Sequence, residues 1–172
     1  MRTNTPAIGA VMVHRNEADS LICGTFGQYS WHLQYVRQVL ARDGLHPVAA
    51  LSMIILEDGP LFIADTQCHN DPTPQQVMET VEGAARHVRR FGLTPKIALC
   101  SHSQFGNTDS DSGRKMRDAL ALLDAREPDF MYDGEMHVDA ALDPELRERI
   151  FPGSRLEGVA NVLVFAGTDA AS

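Results

Sequence analysis

Strand-like and helix-like segments alternate along this chain, and short turns rich in glycine, proline and aspartate separate them. This alternation is typical of a layered α/β domain. The clearest helix begins after Thr73, because Thr73-Pro74-Gln75-Gln76 matches a capping box with proline at the first helical position. Apolar residues recur at helical spacing from there to Phe91-Gly92, and five of them are predicted to face the core: Val77, Val81, Ala84, Ala85 and Val88.

The same patterns predict the other elements. Further helices are predicted over residues 6–16, with Thr5 as N-cap, and over 31–41, 112–126 and 144–150. Strands are predicted over residues 20–24, 48–56, 60–66, 96–100 and 161–165. The turn Glu57-Asp58-Gly59 makes two of these strands an antiparallel hairpin, so a purely parallel sheet is not expected. Seven side chains of helices 6–16 and 112–126 are predicted to face inward: Ile8, Val11, Met12, Met116, Ala119, Leu122 and Leu123.

Length and composition restrict the class of protein. With 172 residues, 44% of them hydrophobic, the chain is long enough for one α/β domain with a core and too short for two. A formal net charge of -8 argues against a nucleic acid partner, since phosphate backbones are bound by clustered lysine and arginine. Three cysteines without a CxxC spacing indicate neither a disulfide framework nor a zinc knuckle. The sequence also lacks a membrane-spanning run and a signal-peptide pattern, which together predict an intracellular, soluble protein.

Polar and small residues gather in four predicted loops, over residues 24–30, 65–71, 101–107 and 133–139. Ligands of open α/β sheets bind at the carboxyl ends of strands, so these loops are candidate walls of one site. The alternative interpretation is that strand ends simply require turn-forming residues.

Ser101-His102-Ser103 suggests a hydrolase, with a serine nucleophile, a histidine base and Asp65 as the orienting carboxylate. Against this, adjacent side chains in an extended segment point to opposite faces, and no Gly-x-Ser-x-Gly elbow is present. The alternative is that these serines cap a turn containing Gly106-Asn107, or bind an anion through hydroxyls and amides.

The acidic block from Asp133 to Leu142 offers a second candidate site. If it is extended, Glu135, His137 and Asp139 face one way, as metal ligands do. The favoured alternative is an ionic and hydrogen-bonding cluster at an interface, since three such ligands are a nonspecific pattern. The main basic groups suit either a phosphate-bearing ligand or a solvated helix face: Arg86, Arg89, Arg90, Arg114, Lys115 and Arg117.

Several blocks occur in a recognisable order. They are ADSLICGT at 18–25, LFIADT at 61–66 with NDPT at 70–73, PKIALCSHSQFG at 95–106, RKMR at 114–117 and DGEMHVDAAL at 133–142. This series resembles the phosphotransacetylase-like C-terminal region of bacterial NADP-dependent malic enzymes, over nearly the whole chain. Ordered blocks of this length are far more specific than any single motif.

The resemblance implies a three-layer α/β/α fold with a mostly parallel sheet, the inserted lobe of the phosphate acetyltransferase (isocitrate/isopropylmalate dehydrogenase-like) fold. Phosphate acetyl- and butyryltransferases move an acyl group between phosphate and coenzyme A, whereas in long bacterial malic enzymes the region senses acetyl-CoA and mediates assembly. Departures from the transferase pattern favour the second function. Gln34 stands where the transferases have arginine, His137 where they have glutamine, and residues 101–106 read SHSQFG for Ser-x-Ser-Thr-Lys-Gly.

The resemblance further implies that residues 1–172 form a single domain, with the malic enzyme domain upstream and the C-terminal end of the region outside it. In the family, another helix and a Ser-Arg pair implicated in transfer follow the Ala160-Asn161 strand. The expected parent is therefore an NADP-dependent, oxaloacetate-decarboxylating malic enzyme that converts malate to pyruvate, and this chain alone is not expected to be catalytic. The alternative is a fragment of an active phosphate acetyltransferase.

Cofactors and partners follow from the same resemblance. NADP and a divalent metal, Mg²⁺ or Mn²⁺, are expected in the parent and none in this chain, with acetyl-CoA or a related acyl-CoA as effector. A cytoplasmic homo-oligomer, at least a dimer, without nucleic acid or membrane partners is expected. Carried over from the family pattern, the predicted acyl-CoA contacts are Thr25, Tyr29, Ser30, Ser101, Ser103, Gly106, Glu135 and Asp139.

Overall fold

The computed structural model describes residues 4–41, 49–65 and 67–171. The chain divides into two compact units, Met1–Val48 and Ala49–Ser172, and each is described by itself. The expectation of a single domain over the whole chain stays a prediction. Within the described ranges, no helix has the length and apolar character needed to cross a membrane.

The second unit is built on a five-stranded mixed sheet. Its strands, numbered in chain order, are β1 (Leu51–Leu56), β2 (Gly59–Ala64), β3 (Lys96–Cys100), β4 (Met131–Met136) and β5 (Val162–Phe165). They are arranged in the order β1-β2-β5-β3-β4, and β1 is antiparallel to β2 while the other neighbours are parallel. The predicted mostly parallel sheet with an antiparallel hairpin is therefore confirmed. Val48 and Thr66, at the ends of the predicted hairpin, lie outside the described residues.

The second unit contains four helices between its strands and a fifth after β5. They are α3 (Pro74–Arg90), α4 (Asp111–Asp124), α5 (Val138–Leu142), α6 (Pro144–Ile150) and α7 (Thr168–Ala171). The predicted capping box is present, because the Gln76 amide donates to Thr73 Oγ1 at 3.2 Å and the Thr73 amide donates to Gln76 Oε1 at 2.9 Å. All five residues predicted to face inward from α3 are buried.

Two apolar clusters lie on opposite faces of the sheet. Along β3, Ile97 and Leu99 pack in the cluster formed with α3 and α4, whereas Ala98 and Cys100 pack in the cluster that includes α5. This alternation follows from the two-residue period of a strand, and it gives the unit its helix-sheet-helix layers. On α4, however, Leu120 is buried and Leu122, predicted to face inward, is partly exposed. The inward stripe runs through Met116, Leu120 and Leu123, which are separated by four and three residues.

The first unit contains α1 (Thr5–His14) and α2 (Tyr29–Leu40). Thr5 is the first residue of α1, and Asn4 occupies the N-cap position predicted for Thr5. Three side chains predicted to face inward from α1 are exposed: Ile8, Val11 and Met12. The physical reason is that apolar residues surround this helix, so its pattern does not define one buried face.

The predicted strand at residues 20–24 is wrong, since this segment is irregular. Ile22 is 97% exposed, and the described part of the first unit has no strand to pair with it. A short apolar run forms a strand only where a neighbour accepts and donates its backbone hydrogen bonds.

The predicted loop at 133–139 is also wrong. Its first half belongs to β4 and its second half to α5, which begins after His137. The polar sequence suggested a loop because carboxylates are unusual inside a sheet. The two carboxylates of β4, Asp133 and Glu135, are tolerated there because each accepts hydrogen bonds from nearby donors.

Candidate functional site

The carboxyl ends of β2, β5, β3 and β4 meet at one edge of the sheet, because these strands run parallel. The loops that leave them contact one another. Lys115 pairs with Asp71 and donates to the Ala166 carbonyl at 3.1 Å, and Thr168 Oγ1 donates to Asn70 Oδ1 at 3.2 Å. The segments 70–71 and 166–168 therefore border the start of α4 at this edge, which is the candidate site of the second unit.

Glu135 fixes the loop that follows β3. Its carboxylate is 1% exposed, and Oε1 accepts hydrogen bonds from Ser103 Oγ at 2.6 Å and from the Gly106 amide at 2.8 Å. Arg117 of α4 donates to the same oxygen at 2.9 Å. The Glu135 main-chain carbonyl accepts from the Phe105 amide at 2.7 Å. Three of the predicted contact residues, Ser103, Gly106 and Glu135, are thus brought together, and Glu135 is engaged in holding the loop.

The loop itself is a tight turn. Phe105 and Gly106 have positive φ angles of 47° and 84°, and the Asn107 amide donates to the Gln104 carbonyl at 3.0 Å. Asn107 Oδ1 also accepts from the Gln104 amide at 2.9 Å, as turn-forming asparagines do. The predicted turn around Gly106-Asn107 is therefore confirmed.

The other two residues of the Asp-Gly-Glu block, Asp133 and Gly134, also have structural roles. Asp133 Oδ2 accepts from Ser154 Oγ and from the Arg155 amide, both at 2.7 Å, so it fixes a second distant segment. A Cβ at Gly134 would lie 2.6 Å from the Leu99 carbonyl oxygen of the neighbouring strand. Because main chain cannot give way there as a flexible side chain does, only glycine fits this position.

The serine and histidine side chains of the 101–103 segment do not form a catalytic triad. Ser101 Oγ accepts from the Ser103 amide at 3.2 Å, and Ser103 is fully buried against Glu135. The His102 ring pairs instead with Ser112 Oγ through Nδ1 at 3.1 Å. Asp65, proposed as the orienting carboxylate, lies 2.5 Å from His69 Nδ1. The hydrolase interpretation therefore has no supporting geometry in these residues.

The three alternating side chains of the metal hypothesis separate in the structure. Glu135 is buried in β4, His137 Nε2 pairs with the His102 carbonyl at 2.7 Å, and Asp139 Oδ1 accepts from the Ala140 amide at 2.7 Å. Over residues 4–41, 49–65 and 67–171, no group of three or more histidine, cysteine, aspartate or glutamate side chains is arranged to hold a metal ion. The alternation assumed for an extended segment ends where α5 begins.

Basic side chains near this edge are paired with carboxylates. Arg114 pairs with Asp109 and Asp111 in the loop before α4 and its first turn, and Arg117 pairs with Glu135. Arg89, at the end of α3 that leads to the amino end of β3 and thus at the opposite edge, pairs with Asp129 at 2.9 Å. These contacts favour a structural role for the pairs over a free phosphate-binding patch.

The remaining predicted contacts lie in the first unit. Tyr29 and Ser30 are the first two residues of α2, and Thr25 lies in the segment before it. A cavity of about 560 Å³ opens in this unit, with Thr25, Phe26, Trp31 and Tyr35 among its lining residues. His32 Nε2 lies 3.0 Å from the Phe26 carbonyl oxygen, which holds the preceding segment against α2.

Cys100 is the last residue of β3, just before the 101–107 loop, and its thiol is buried in the core. Burial raises its pKa from 9.0 to about 12. Because the folded-state pKa lies above the unfolded one, this thiol's contribution to stability is complete below about pH 9 and is lost as the pH rises towards 12. Three pKa units correspond to at most about 4 kcal/mol.

We therefore expect Cys100→Ala to flatten the decrease in unfolding free energy between about pH 9 and pH 12, whatever its effect on stability at neutral pH. Chemical denaturation at a series of alkaline pH values measures this slope. Burial also raises the pKa of Tyr132, to about 12, so part of the slope should persist in the variant. Cys23→Ala, at an exposed cysteine, is the matched control. An unchanged slope in Cys100→Ala would contradict the assignment.

Two residues with structural roles, Arg147 and Asn161, were not predicted from the sequence. Arg147 is 2% exposed and donates to main-chain carbonyls at Ala140, Ala141, Leu156 and Gly158. Asn161 Oδ1 accepts from the Lys96 amide at 2.8 Å, and its Nδ2 donates to the Thr94 carbonyl at 2.9 Å. A signal existed only for Asn161, an asparagine immediately before an apolar strand; nothing in the sequence distinguishes Arg147 from the exposed Arg149.

Comparison with known proteins is consistent with this geometry. A family model described as phosphate acetyl/butaryl transferase matches residues 1–172, and the chain belongs to that family. It is 50% identical to the NADP-dependent malic enzyme of Salmonella typhimurium over 98% of the chain and 22% of that protein. It is 48% identical to the NAD-dependent malic enzyme of Rhizobium meliloti over 100% of the chain and 22% of that protein.

The fold is similar to that of a phosphotransacetylase from Streptococcus pyogenes, with a TM-score of 0.88 and 26% identity over 98% of this chain and 52% of the other. The predicted family and α/β fold are therefore confirmed. The chain spans about a fifth of the malic enzymes that it matches and about half of the phosphotransacetylase.

Proposed function

We propose that this chain is part of the phosphotransacetylase-like region of an NADP-dependent malic enzyme, where it contributes to acetyl-CoA sensing and to oligomerisation. The observation that carries the proposal is the 50% identity to a malic enzyme, against 26% to the solved phosphotransacetylase. The parent would oxidise and decarboxylate malate to pyruvate in the cytoplasm with NADP and a divalent metal, both bound outside this chain.

The state of the candidate site supports a regulatory role over a catalytic one. At the carboxyl ends of β3 and β4, Ser103 and Glu135 are buried and bonded to each other, and Arg117 is bonded to Glu135. A catalytic acid, base or nucleophile must reach the reacting atoms, whereas these groups fix the shape of a loop. An acyl-CoA bound at such a loop would act by preferring one of two conformations of the parent.

The proposal is tested with the full-length parent by titrating acetyl-CoA against malate-dependent NADPH formation. We expect a saturable change in rate, and a rate unaffected by saturating acetyl-CoA would refute the sensing role. Parallel assays with NAD are required because the relative from Rhizobium meliloti is named for NAD.

A variant pair connects the effect to this chain. Tyr29→Ala, at an exposed predicted contact, should raise the half-saturating acetyl-CoA concentration by about tenfold. Phe91→Ala, at an exposed aromatic residue outside the predicted contacts, should leave that concentration unchanged. Equal behaviour of the two variants would exclude Tyr29 from the effector site.

A second candidate function is phosphate acetyltransferase activity, which the family match and the similarity to the Streptococcus pyogenes phosphotransacetylase favour. Its test is coenzyme A-dependent turnover of acetyl phosphate by the full-length protein. An inert protein that retains malate oxidation would exclude this candidate.

A further inference from the structure

The cavity of the first unit is lined by uncharged side chains. Its volume of about 560 Å³ lies within the range of about 300–1,000 Å³ that small-molecule sites occupy. Among the described residues at its wall there is no lysine, arginine, aspartate or glutamate. A phosphate or carboxylate would lose its hydration there without gaining a counter-charge, so the cavity suits a neutral group.

Two aromatic side chains at this cavity are largely exposed. Phe26 is 88% exposed and Trp31 is 55% exposed, and both belong to the lining. Exposed aromatic faces stack well on planar rings, and a nucleic acid base stacked on such a face is held whatever its sequence. The two rings therefore favour a planar, aromatic ligand over an aliphatic one.

His32 adds a specific polar requirement. It lies in the first turn of α2 and lines the cavity, and its Nε2 is 3.0 Å from the Phe26 carbonyl oxygen. Because a carbonyl oxygen only accepts, the hydrogen of the neutral ring is on Nε2, and Nδ1 is an acceptor. Nδ1 is shielded from solvent and has no hydrogen-bond partner. A buried acceptor without a donor is costly, so a ligand that brings an N–H group would satisfy it.

We propose that this cavity binds the adenine base of an acyl-CoA. Adenine is neutral and planar, and its exocyclic amine is the donor that His32 Nδ1 lacks. The ring would stack on Phe26 and Trp31, and the charged phosphates of the ligand would remain outside the uncharged wall. The inference rests on the proposed function, because it names the part of the effector that this unit recognises.

The shielding of Nδ1 sets one condition for binding. A ligand reaches this atom once a side chain beside the ring changes its rotamer. Exposed side chains change rotamers in picoseconds to nanoseconds, and Phe26 and Trp31 are both exposed. The condition is therefore met without movement of the backbone of α2.

Tryptophan fluorescence of the 172-residue chain tests the inference, because Trp31 is its single tryptophan. Adenosine contains the base without phosphate, and it should change the emission of Trp31 with half-saturation at or below about 1 mM. Inorganic phosphate at the same concentrations should leave the emission unchanged. Purine riboside, which lacks the exocyclic amine, should bind at least fivefold more weakly than adenosine.

Two variants with matched controls separate stacking from hydrogen bonding. Phe26→Ala should weaken adenosine and purine riboside alike by about fivefold or more, whereas Phe91→Ala, at an exposed phenylalanine outside the cavity, should not. His32→Leu should remove the preference for adenosine over purine riboside, and His87→Leu, at an exposed histidine of α3, should retain it. A purely structural role of His32 would weaken both ligands equally. Circular dichroism establishes that each variant is folded.

The full-length parent provides a second measurement that does not depend on the chain folding alone. Equilibrium dialysis of labelled adenosine, with saturating NADP to occupy any dinucleotide site elsewhere, should show binding that acetyl-CoA displaces. The inference is overturned by adenosine that does not bind, by bound adenosine that acetyl-CoA does not displace, or by a His32→Leu variant that still prefers adenosine. An acetyl-CoA effect on malate oxidation without adenosine binding overturns this inference alone. Displaceable adenosine binding without a rate effect refutes the sensing role alone.

Discussion

Glu135→Ala is expected to lower the free energy of unfolding by about 3–5 kcal/mol. The substitution removes an acceptor that three donors share: Ser103 Oγ, the Gly106 amide and Arg117. The Gly106 amide would lose this acceptor and Arg117 would lose a buried counter-charge, whereas Ser103 Oγ would keep the Thr108 carbonyl at 3.1 Å as an acceptor. Urea denaturation followed by circular dichroism measures the loss.

One further variant separates charge from hydrogen bonding, and another serves as a control. Glu135→Gln keeps an oxygen acceptor in place and should cost less than alanine, because only the charge opposite Arg117 is lost. Glu157→Ala, at an exposed glutamate, should change stability by no more than about 0.5 kcal/mol. If Glu135→Ala were as stable as Glu157→Ala, the loop would not depend on this carboxylate.

Arg147→Ala should destabilise the fold by a similar amount, about 3–5 kcal/mol. The guanidinium donates to four carbonyls, at 2.8 Å and 3.3 Å in α5 and at 2.9 Å and 2.5 Å in the segment that follows α6. Burial lowers the pKa of Arg147, and nearby Asp133 opposes that shift. Without the side chain, α5 and the 156–158 segment would lose their common donor.

The matched control is Arg149→Ala on the same helix, where the side chain is exposed. It should leave the denaturation midpoint nearly unchanged. Arg147→Lys should be intermediate, since an ammonium has fewer donors and cannot span the four oxygens. A shift for Arg147→Ala no larger than that for Arg149→Ala would show that water replaces these hydrogen bonds without cost.

The sequence predicted elements whose stability is local. The capping box at Thr73, the helix at Pro144 and the hairpin turn at Asp58 each depend on residues close together in the chain, and all three are present. Proline, glycine and capping side chains act over a few residues, so their effect can be recognised without the fold.

The errors have a different physical origin. Ile22 was expected in a strand and Met12 on the inward face of a helix, yet an apolar residue does not show by itself whether another part of the chain covers it. Asp133 and Glu135 were expected in a loop because buried carboxylates are rare, and their donors at Arg155, Ser103 and Arg117 are distant in sequence. Long-range pairing of this kind is not encoded in local patterns.

Only part of the candidate site could be predicted from the sequence. The expectation that strand-end loops meet at one edge follows from parallel topology, and the contacts around Asn70 and Ala166 agree with it. Which side chains would contact an acyl-CoA stays a prediction. Ser103 and Glu135 are buried and bonded to each other, which leaves Gly106 and Asp139, both exposed, and half-buried Ser101 as the more accessible candidates of the second unit.

The position of β5 has a consequence for synthesis of the protein on the ribosome. β5 lies between β2 and β3, which share no direct pairing, although it is the last of the five strands to be made. Until residues 162–165 emerge, the nascent chain holds a hairpin and a separate βαβ unit with open apolar edges. The sheet is therefore complete only once this central strand has been made, and a chain truncated before Asn161 is expected to expose the apolar edges of β2 and β3 and to aggregate.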